Sequence, residues 1–305
     1  MKQQISRRGF AAAAAALVGA PAAALAMEPV RRRGPSRMKL SLAAYSFRHY
    51  LTDHRRGTKP TATPPMTLES FVDLCAEYPL DGVEPTSYYV PDPLPDGYLH
   101  ALRRRAFLLG LTISGTAIGN TFTHPPGEKR DEQMAYTKRW IDRAADMGAP
   151  TIRIFAGDVQ KGTTEAQARQ WCIEAIRDAC AYAATRGVIL ALENHGGIVT
   201  TAEQLLSIVR EIDSDWFGVN WDSGNFRSAD PYAELKAIAP YAVTAQIKVS
   251  IGAAGKSQPA DLARVVGTLK DAGYRGWVAL EYEEQEDAKA AVPRLLDELH
   301  RLIRA

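Results

Sequence analysis

Sulfur and imidazole groups are scarce in this chain of 305 residues. The cysteines are odd in number, form no C-x-x-C pair and lie in segments of helical pattern, so we expect buried thiols and no disulfide framework. The six histidines lie mostly outside the predicted strand ends, which argues against a histidine-rich multi-zinc site. The three cysteines are Cys75, Cys172 and Cys180.

A surplus of charge of one sign is also missing. The chain has 37 lysines and arginines against 35 acids. Residues 1–26 hold three of the basic residues and no acid, so the remainder has 34 basic residues and 35 acids, a net charge of −1. Because a basic surplus is absent, nucleic acid is not an expected partner.

The N-terminal apolar run, Ala11–Leu25, is short and weakly hydrophobic for a membrane span, and a glycine and a proline interrupt it. It follows "SRRGF", which resembles a twin-arginine motif, and it ends on an A-x-A cleavage signal. We therefore predict that residues 1–26 are a removed signal of the twin-arginine type, with a periplasmic product and no stable membrane insertion. A general secretory signal with two chance arginines is the alternative.

Short apolar runs alternate with longer segments of helical period after a linker predicted at residues 27–37, and no further linker separates them. The runs are Met38–Phe47, Asp81–Thr86, Thr112–Gly119, Thr151–Gly157, Val188–Asn194, Phe217–Asp222, Ala242–Val249 and Trp277–Glu283. Helical segments between and after them include Thr67–Tyr78, Asp131–Met147, Thr164–Arg186, Thr201–Ile212, Pro259–Ala272 and Ala288–Ile303.

This alternation predicts parallel β/α units, and eight of them predict an α/β fold in which residues 38–305 form a single-domain (β/α)8 TIM barrel. A doubly wound open sheet is the alternative. It is weakened because no G-x-G-x-x-G or G-x-x-x-x-G-K turn follows the first strand.

Polar residues stand at the carboxyl ends of strands that are otherwise apolar, where the active sites of such barrels form. Four of them end the fifth to eighth strands: Glu193, Asp222, Gln246 and Glu281. Carboxylates crowded together in this way would repel one another. A shared divalent cation would remove the repulsion, and so would a salt-bridge network through Lys248 and Arg153. The residues alone leave both interpretations open.

These strand ends resemble the sugar phosphate isomerase/epimerase family of xylose-isomerase-like TIM barrels, and the resemblance covers nearly everything after the signal. The segments that carry it are "ALENHGG", "NWDSGNF" and "ALEYEEQED". The family pattern implies metal ligands at Glu193, Asp222, Gln246 and Glu281. Gln246, in "TAQIKVS", departs from the usual histidine. Because an amide oxygen is a weaker and harder ligand than imidazole, the resemblance implies one divalent ion, Mn²⁺ or Mg²⁺ rather than Zn²⁺, and leaves a metal-free site open.

The resemblance also implies that Glu193 and Glu281 are the catalytic acid and base. Removing a proton next to a carbonyl creates an enediolate, whose charge a divalent ion would stabilise. The other polar residues near the strand ends are candidates for binding substrate. Each of them could instead form an ion pair, pack in the core or support a neighbouring site residue. The candidate substrate-binding residues are Glu84, Tyr88, Asn120, Arg153, His195, Asn225 and Lys248.

The leading functional prediction is an exported, metal-dependent isomerase or epimerase. An unphosphorylated sugar or sugar derivative is the expected partner, because no phosphate-cradling loop is found. A 3-oxo-glycoside lyase or hydratase would share the first step. A catalytically silent carbohydrate-binding barrel is the alternative from another class, since Gln246 replaces a histidine. A nuclease of the related endonuclease branch fits poorly with the few histidines and the missing basic surplus. Family analogy also implies a homo-oligomer.

Overall fold

The computed structural model describes residues 27–305, and the predicted export signal at 1–26 lies outside the described residues. The strands in this part are β1 (Lys39–Ala43), β2 (Gly82–Glu84), β3 (Thr112–Ile113), β4 (Thr116–Ala117), β5 (Thr151–Ile154), β6 (Ile189–Glu193), β7 (Phe217–Asp222), β8 (Ala242–Ile247), β9 (Ser250–Ala253), β10 (Lys256–Pro259) and β11 (Trp277–Leu280). The α-helices are α1 (Leu68–Cys75), α2 (Tyr98–Leu108), α3 (Glu128–Met147), α4 (Glu165–Arg186), α5 (Ala202–Val209), α6 (Pro231–Ile238), α7 (Leu262–Asp271) and α8 (Ala288–Arg304).

Nine of these strands form one sheet in the order β3-β2-β1-β11-β8-β7-β6-β5-β4, and every pairing within it is parallel. The two ends of this order, β3 and β4, belong to the same short segment, so the sheet returns on itself as a barrel. The predicted (β/α)8 TIM barrel is therefore confirmed. The strands β9 and β10 form a separate antiparallel hairpin that the sequence patterns did not indicate.

The third barrel strand differs from the prediction of one continuous run over 112–119, because Ser114 and Gly115 interrupt it. Ser114 turns its hydroxyl to Ser41 Oγ, at 2.6 Å, and to the carbonyl oxygen of Val83, at 3.0 Å. A Cβ on Gly115 would lie 2.7 Å from Thr151 Oγ1. Glycine thus permits the close approach of β5 at the break.

Side chains alternate along each strand between an apolar face that packs against the helices and a polar face inside the barrel. In β7, Trp221 donates its indole N–H to the carbonyl oxygen of Leu235 in α6, at 2.8 Å, so this face lies against the helices. Asn220 and Asp222 have the opposite parity and point into the barrel. The fold thereby places the polar strand residues at one interior mouth.

Local signals set the ends of several helices. Thr67, Thr164 and Thr201 cap α1, α4 and α5, each with a reciprocal bond to the residue three positions on. Both α3 and α4 stop at a glycine in the left-handed region, Gly148 and Gly187. Over residues 27–305, no helix combines the length and apolarity needed to cross a membrane.

Candidate active site

Residues from separate strands meet inside the barrel. Glu84 ends β2 and Gln246 lies in β8, and the sheet order puts β1 and β11 between those strands. The Gln246 Nε2 nevertheless donates to Glu84 Oε1 at 2.7 Å, so the contact crosses the interior. Strand ends that are far apart in sequence therefore share one buried space.

The side chain of Gln246 is fully buried and both of its amide atoms are bonded. Its Nε2 donates to Glu84, and its Oε1 accepts from Asn220 Nδ2 at 2.7 Å. Burial raises the pKa of Glu84 to about 7, against the opposing hydrogen bond from Gln246. Glu84, Gln246 and Asn220 form a buried hydrogen-bond chain across the barrel.

The ammonium group of Lys248 lies among the acids at the mouth. Its Nζ is 3.3 Å from Asp222 Oδ2, 3.4 Å from Glu281 Oε2 and 2.8 Å from Glu283 Oε1. The Nζ also donates to Asn225 Oδ1 at 3.0 Å. One cation thus contacts three carboxylates, as the salt-bridge interpretation of the sequence requires.

Burial and charge shift the pKa values of this cluster in different directions. Burial raises the pKa of Asp222 to about 7 and that of Glu281 well above its usual range, although Lys248 opposes both shifts. Burial alone would lower the pKa of Lys248, but the surrounding carboxylates raise it well above the usual value. Burial alone would raise the pKa of Glu283, but the charge and hydrogen bond of Lys248 lower it. The surrounding carboxylates therefore favour the charged form of Lys248.

Glu193 is held from two sides at the end of β6. Arg153 Nε lies 2.8 Å from Glu193 Oε2, a close charge contact without the alignment of a hydrogen bond, and Asn225 Nδ2 donates to Glu193 Oε1 at 2.7 Å. Burial alone would lower the pKa of Arg153, but attraction to Tyr88, Glu193 and Glu281 raises it. Asn225 bonds both Glu193 and Lys248, so it joins the two charged groups of the mouth.

Aromatic side chains lie next to the charged residues of the mouth, and each aromatic residue follows the end of a barrel strand. The guanidinium carbon of Arg153 lies 3.9 Å from the centre of the Phe155 ring, and the exposed His195 ring packs on Phe155 at 4.3 Å. Tyr88 packs edge-on against Tyr45, with ring centres 6.3 Å apart. His195 lies at the rim because β6 ends before it, at Glu193.

Asn120 does not join this cluster through its amide. Its Nδ2 donates to the carbonyl oxygen of Phe155 at 2.8 Å, and its Oδ1 accepts from the Phe155 N–H at 2.9 Å. Both amide atoms therefore tie the loop after β4 to the end of β5. The substrate contact expected of Asn120 remains a prediction, and it would have to break one of these bonds or use a remaining lone pair.

Besides the rings of Tyr45 and Phe155, two residues outside the predicted set join the hydrogen bonds and ion pairs of the mouth, Asn220 and Glu283. Asn220 lies two residues before Asp222 in β7, so strand alternation predicts that both side chains point into the barrel. Glu283 belongs to an acid-rich run after β11, and only the fold shows which of these acids turns to Lys248.

The predicted four-ligand ion site does not form in this arrangement. Gln246 directs its amide oxygen to Asn220, and the Lys248 ammonium is the cation next to Asp222 and Glu281. Within residues 27–305, no group of three histidine, cysteine, aspartate or glutamate side chains has the geometry of a metal site, and the position shared by Asp222, Glu281 and Glu283 is taken by the Lys248 ammonium. Asp222 Oδ2 is buried without a hydrogen bond, and Lys248 is its charged neighbour. The residues as placed therefore fit an internal ion-pair network and not a bound divalent ion.

A parallel (β/α)8 barrel with buried acids and aromatic rings at the carboxyl ends of its strands is a scaffold of the type that holds small-molecule active sites. Residues 72–302 match the family described as xylose isomerase-like TIM barrel, and the chain belongs to that family. Comparison with curated proteins gives no match.

Solved structures with sugar-related names share this fold. The apo form of 3-keto-D-glucoside 4-epimerase, YcjR, from E. coli is 14% identical, with 87% of this chain and 100% of that chain covered and a TM-score of 0.68. D-psicose 3-epimerase from Clostridium cellulolyticum H10, solved with D-tagatose, is 16% identical, with 88% and 97% covered and a TM-score of 0.66. The IolI protein, solved with a zinc atom, is 19% identical, with 87% and 96% covered and a TM-score of 0.68. At these identities the similarity shows the fold alone.

Proposed function

We propose that this protein is a sugar isomerase or epimerase that moves a proton at a carbon next to a carbonyl group. The observation that carries the proposal is the linkage of two carboxyl groups, Glu193 and Glu281, at one mouth. Asn225 contacts Glu193, and Lys248 contacts both Asn225 and Glu281. Epimerases among the structures of the same fold support this reaction class.

The chemistry requires one group that removes a proton and one that returns it. Glu193 is anchored by Arg153 and Asn225, so its carboxylate is held in a defined position as the base. Glu281, whose Oε2 lies 3.4 Å from Lys248 Nζ, is the acid that returns the proton. A positioned acid or base of this kind contributes about 10²- to 10⁴-fold to the rate.

The substrate class follows from the walls of the mouth. The half-buried ring of Tyr45 stands at the wall of the mouth, where a sugar ring can pack on it, while Asn225 and Lys248 carry hydrogen-bond donors suited to hydroxyl and carbonyl oxygens. The sequence has no phosphate-cradling loop. An unphosphorylated sugar or keto-glycoside is therefore the proposed substrate. The periplasm is the proposed compartment, because residues 1–26 resemble an export signal.

The proposed reaction class does not depend on the divalent ion that the family resemblance implies. Oxygen donors at Glu193, Asp222, Gln246 and Glu281 would favour Mn²⁺ or Mg²⁺ over Zn²⁺, and the zinc in the IolI protein supports an ion in a relative of this fold. Binding here requires Gln246 to leave its two hydrogen bonds and Lys248 to leave its carboxylates.

Solvent exchange tests the reaction class directly. The protein is incubated in D₂O with D-psicose, D-tagatose, D-fructose and a 3-keto-glucoside, and loss of the signal of the hydrogen next to the carbonyl is followed by NMR. We expect one of these compounds to exchange. The variants Glu193→Gln and Glu281→Gln should slow that exchange by about 10²-fold or more.

Glu211→Gln is the matched control, because Glu211 is a half-exposed surface acid that pairs with Arg177. It should exchange at the wild-type rate. The proposal fails if none of the compounds exchanges with or without added Mn²⁺, or if both active-site variants retain the wild-type rate. Sugar binding without exchange would instead favour a binding barrel.

A further inference from the structure

We infer that Lys248 supplies, as a built-in side-chain cation, the positive charge that stabilises the enediolate, so that the reaction runs without a divalent ion. This inference rests on the proposed function and names the electrophile of that site. It follows from three independent features: the position of Lys248, the orientation of Gln246, and the backbone around Gly224.

The ammonium occupies a central position between the carboxyl groups of the mouth. It lies within 3.4 Å of oxygens of Asp222, Glu281 and Glu283 and also contacts Asn225. The side chain is 13% exposed, so the group is largely enclosed and still open to the mouth. The ammonium has three N–H bonds for these four oxygen neighbours, so a carbonyl oxygen that enters the mouth takes an N–H bond by displacing one of them, and Asn225 is the uncharged one.

The usual histidine position is closed to an ion. Gln246 is buried, donates to Glu84 and accepts from Asn220, each at 2.7 Å. Turning its amide oxygen to an ion would break both buried bonds and leave Glu84 and Asn220 without these partners. The amide is thus committed to the interior, away from Lys248.

The main chain around Lys248 is held closely on both sides. The Lys248 N–H donates to Ser223 Oγ at 2.8 Å, which fixes the main chain just beyond β8. A Cβ on Gly224 would lie 2.8 Å from both Cβ and Cδ of Lys248. The same Cβ would also lie 2.8 Å from the Ser250 carbonyl oxygen, so glycine at position 224 permits the close approach of the segment that carries Lys248.

The ammonium of Lys248 also opposes the binding of a divalent ion. Asp222 Oδ2 is buried without a hydrogen bond, and the Lys248 ammonium is the positive charge beside it. A divalent ion on the same oxygens would stand next to that ammonium and would be repelled by it. Lys248 and an ion would therefore compete for the same carboxylates.

The chemical step is balanced without an added reactant. One carboxylate takes the proton from the carbon next to the carbonyl, the C–H electron pair forms the new C=C bond, and the carbonyl π pair moves to oxygen. The resulting negative oxygen is held by the Lys248 N–H groups. The other carboxyl group, protonated at the start, returns a proton to carbon, and the C=O bond reforms.

Metal binding tests the inference without relying on catalysis. Wild type, Lys248→Met and the double variant Gln246→His/Lys248→Met are treated with chelator, dialysed, and titrated with Mn²⁺ under electron paramagnetic resonance. We expect wild type to hold far less than one Mn²⁺ per chain and the double variant to hold about one, because it regains an imidazole ligand and loses the competing cation.

Activity gives a second readout. Chelator-treated wild type should keep its D₂O exchange rate, and Lys248→Met should lose about 10²-fold or more. Lys236→Met removes an exposed lysine on α6 and should change neither property. If circular dichroism shows that Lys248→Met does not fold, the Mn²⁺ titration of the wild-type protein still tests the inference.

Tight binding of about one Mn²⁺ by wild type, with exchange abolished by chelator, would overturn the inference and leave the proposed function intact. Absence of exchange in wild type under all conditions would overturn the proposed function instead. The Mn²⁺ titration remains readable in that case and separates the two failures.

Discussion

Replacing Glu84 by glutamine should change how the stability of the protein depends on pH. Glu84 is 3% exposed, and its carboxyl accepts a hydrogen bond from Gln246 that a glutamine oxygen can also accept. The substitution therefore removes the charge while keeping the shape and that bond. Any change with pH reports the ionisation of this one group.

The sign and size follow from its pKa. Burial raises the pKa of Glu84 from the ordinary 4.5 to about 7, so the folded state binds the proton more tightly than the unfolded state. The stability that this provides is complete below pH 4.5 and is lost as the pH rises through 7. Between pH 5 and pH 8 the free energy of unfolding should fall by about 2 to 3 kcal/mol because of Glu84.

Equilibrium urea unfolding, followed by tryptophan fluorescence at several pH values, measures the effect. The difference in unfolding free energy between Glu84→Gln and wild type should increase by about 2 to 3 kcal/mol from pH 5 to pH 8. Glu211→Gln is the control for removing a surface carboxylate. A difference for Glu84→Gln that stays constant across this range would refute the reasoning, because Glu84 would then ionise as readily in the folded protein as in the unfolded chain.

Two further predictions concern packing and thiol chemistry. Gly82→Ala should destabilise by about 1 to 3 kcal/mol, because its Cβ would lie 2.5 Å from the Thr112 carbonyl oxygen and 2.8 Å from the Trp277 ring. A Cβ on Gly267 in α7 would meet no atom within 4 Å, so Gly267→Ala should stabilise the protein by about 0.5 to 1 kcal/mol. Urea unfolding measures both variants, and a Gly82→Ala variant more stable than Gly267→Ala would contradict the packing argument. The three free cysteines are buried and burial raises the pKa of each thiol, so a thiol reagent at pH 8 should label none in the native protein and all three after unfolding. Rapid labelling of the native protein would show that the thiols are accessible.

The alternation of short apolar runs with helical segments was sufficient to predict the barrel and to place its candidate residues at one end. Parallel strands in a β/α barrel all point the same way, so residues that end different strands must meet at the same rim. Glu84, Glu193 and Asp222 are the last residues of their strands in the structure, as this rule requires. The break in the third strand was not predicted because it depends on contacts with distant segments, such as the approach of β5 to Gly115. The β9–β10 hairpin is local, with a turn at Ala254 and Gly255, and it was missed because β10 is polar and exposed and lacks the apolar pattern of the barrel strands.

The sequence by itself determined which residues reach the mouth, since strand period and strand direction are local properties of the chain. Only the tertiary structure decided which of them pair. Whether Gln246 faces an ion or the Glu84 carboxyl, and whether Lys248 points to solvent or lies among three acids, depends on side chains brought together from β2, β7, β8 and the end of β11. Hydrogen bonds and charge contacts act over a few ångströms in space, and strand pattern carries no information about such distances.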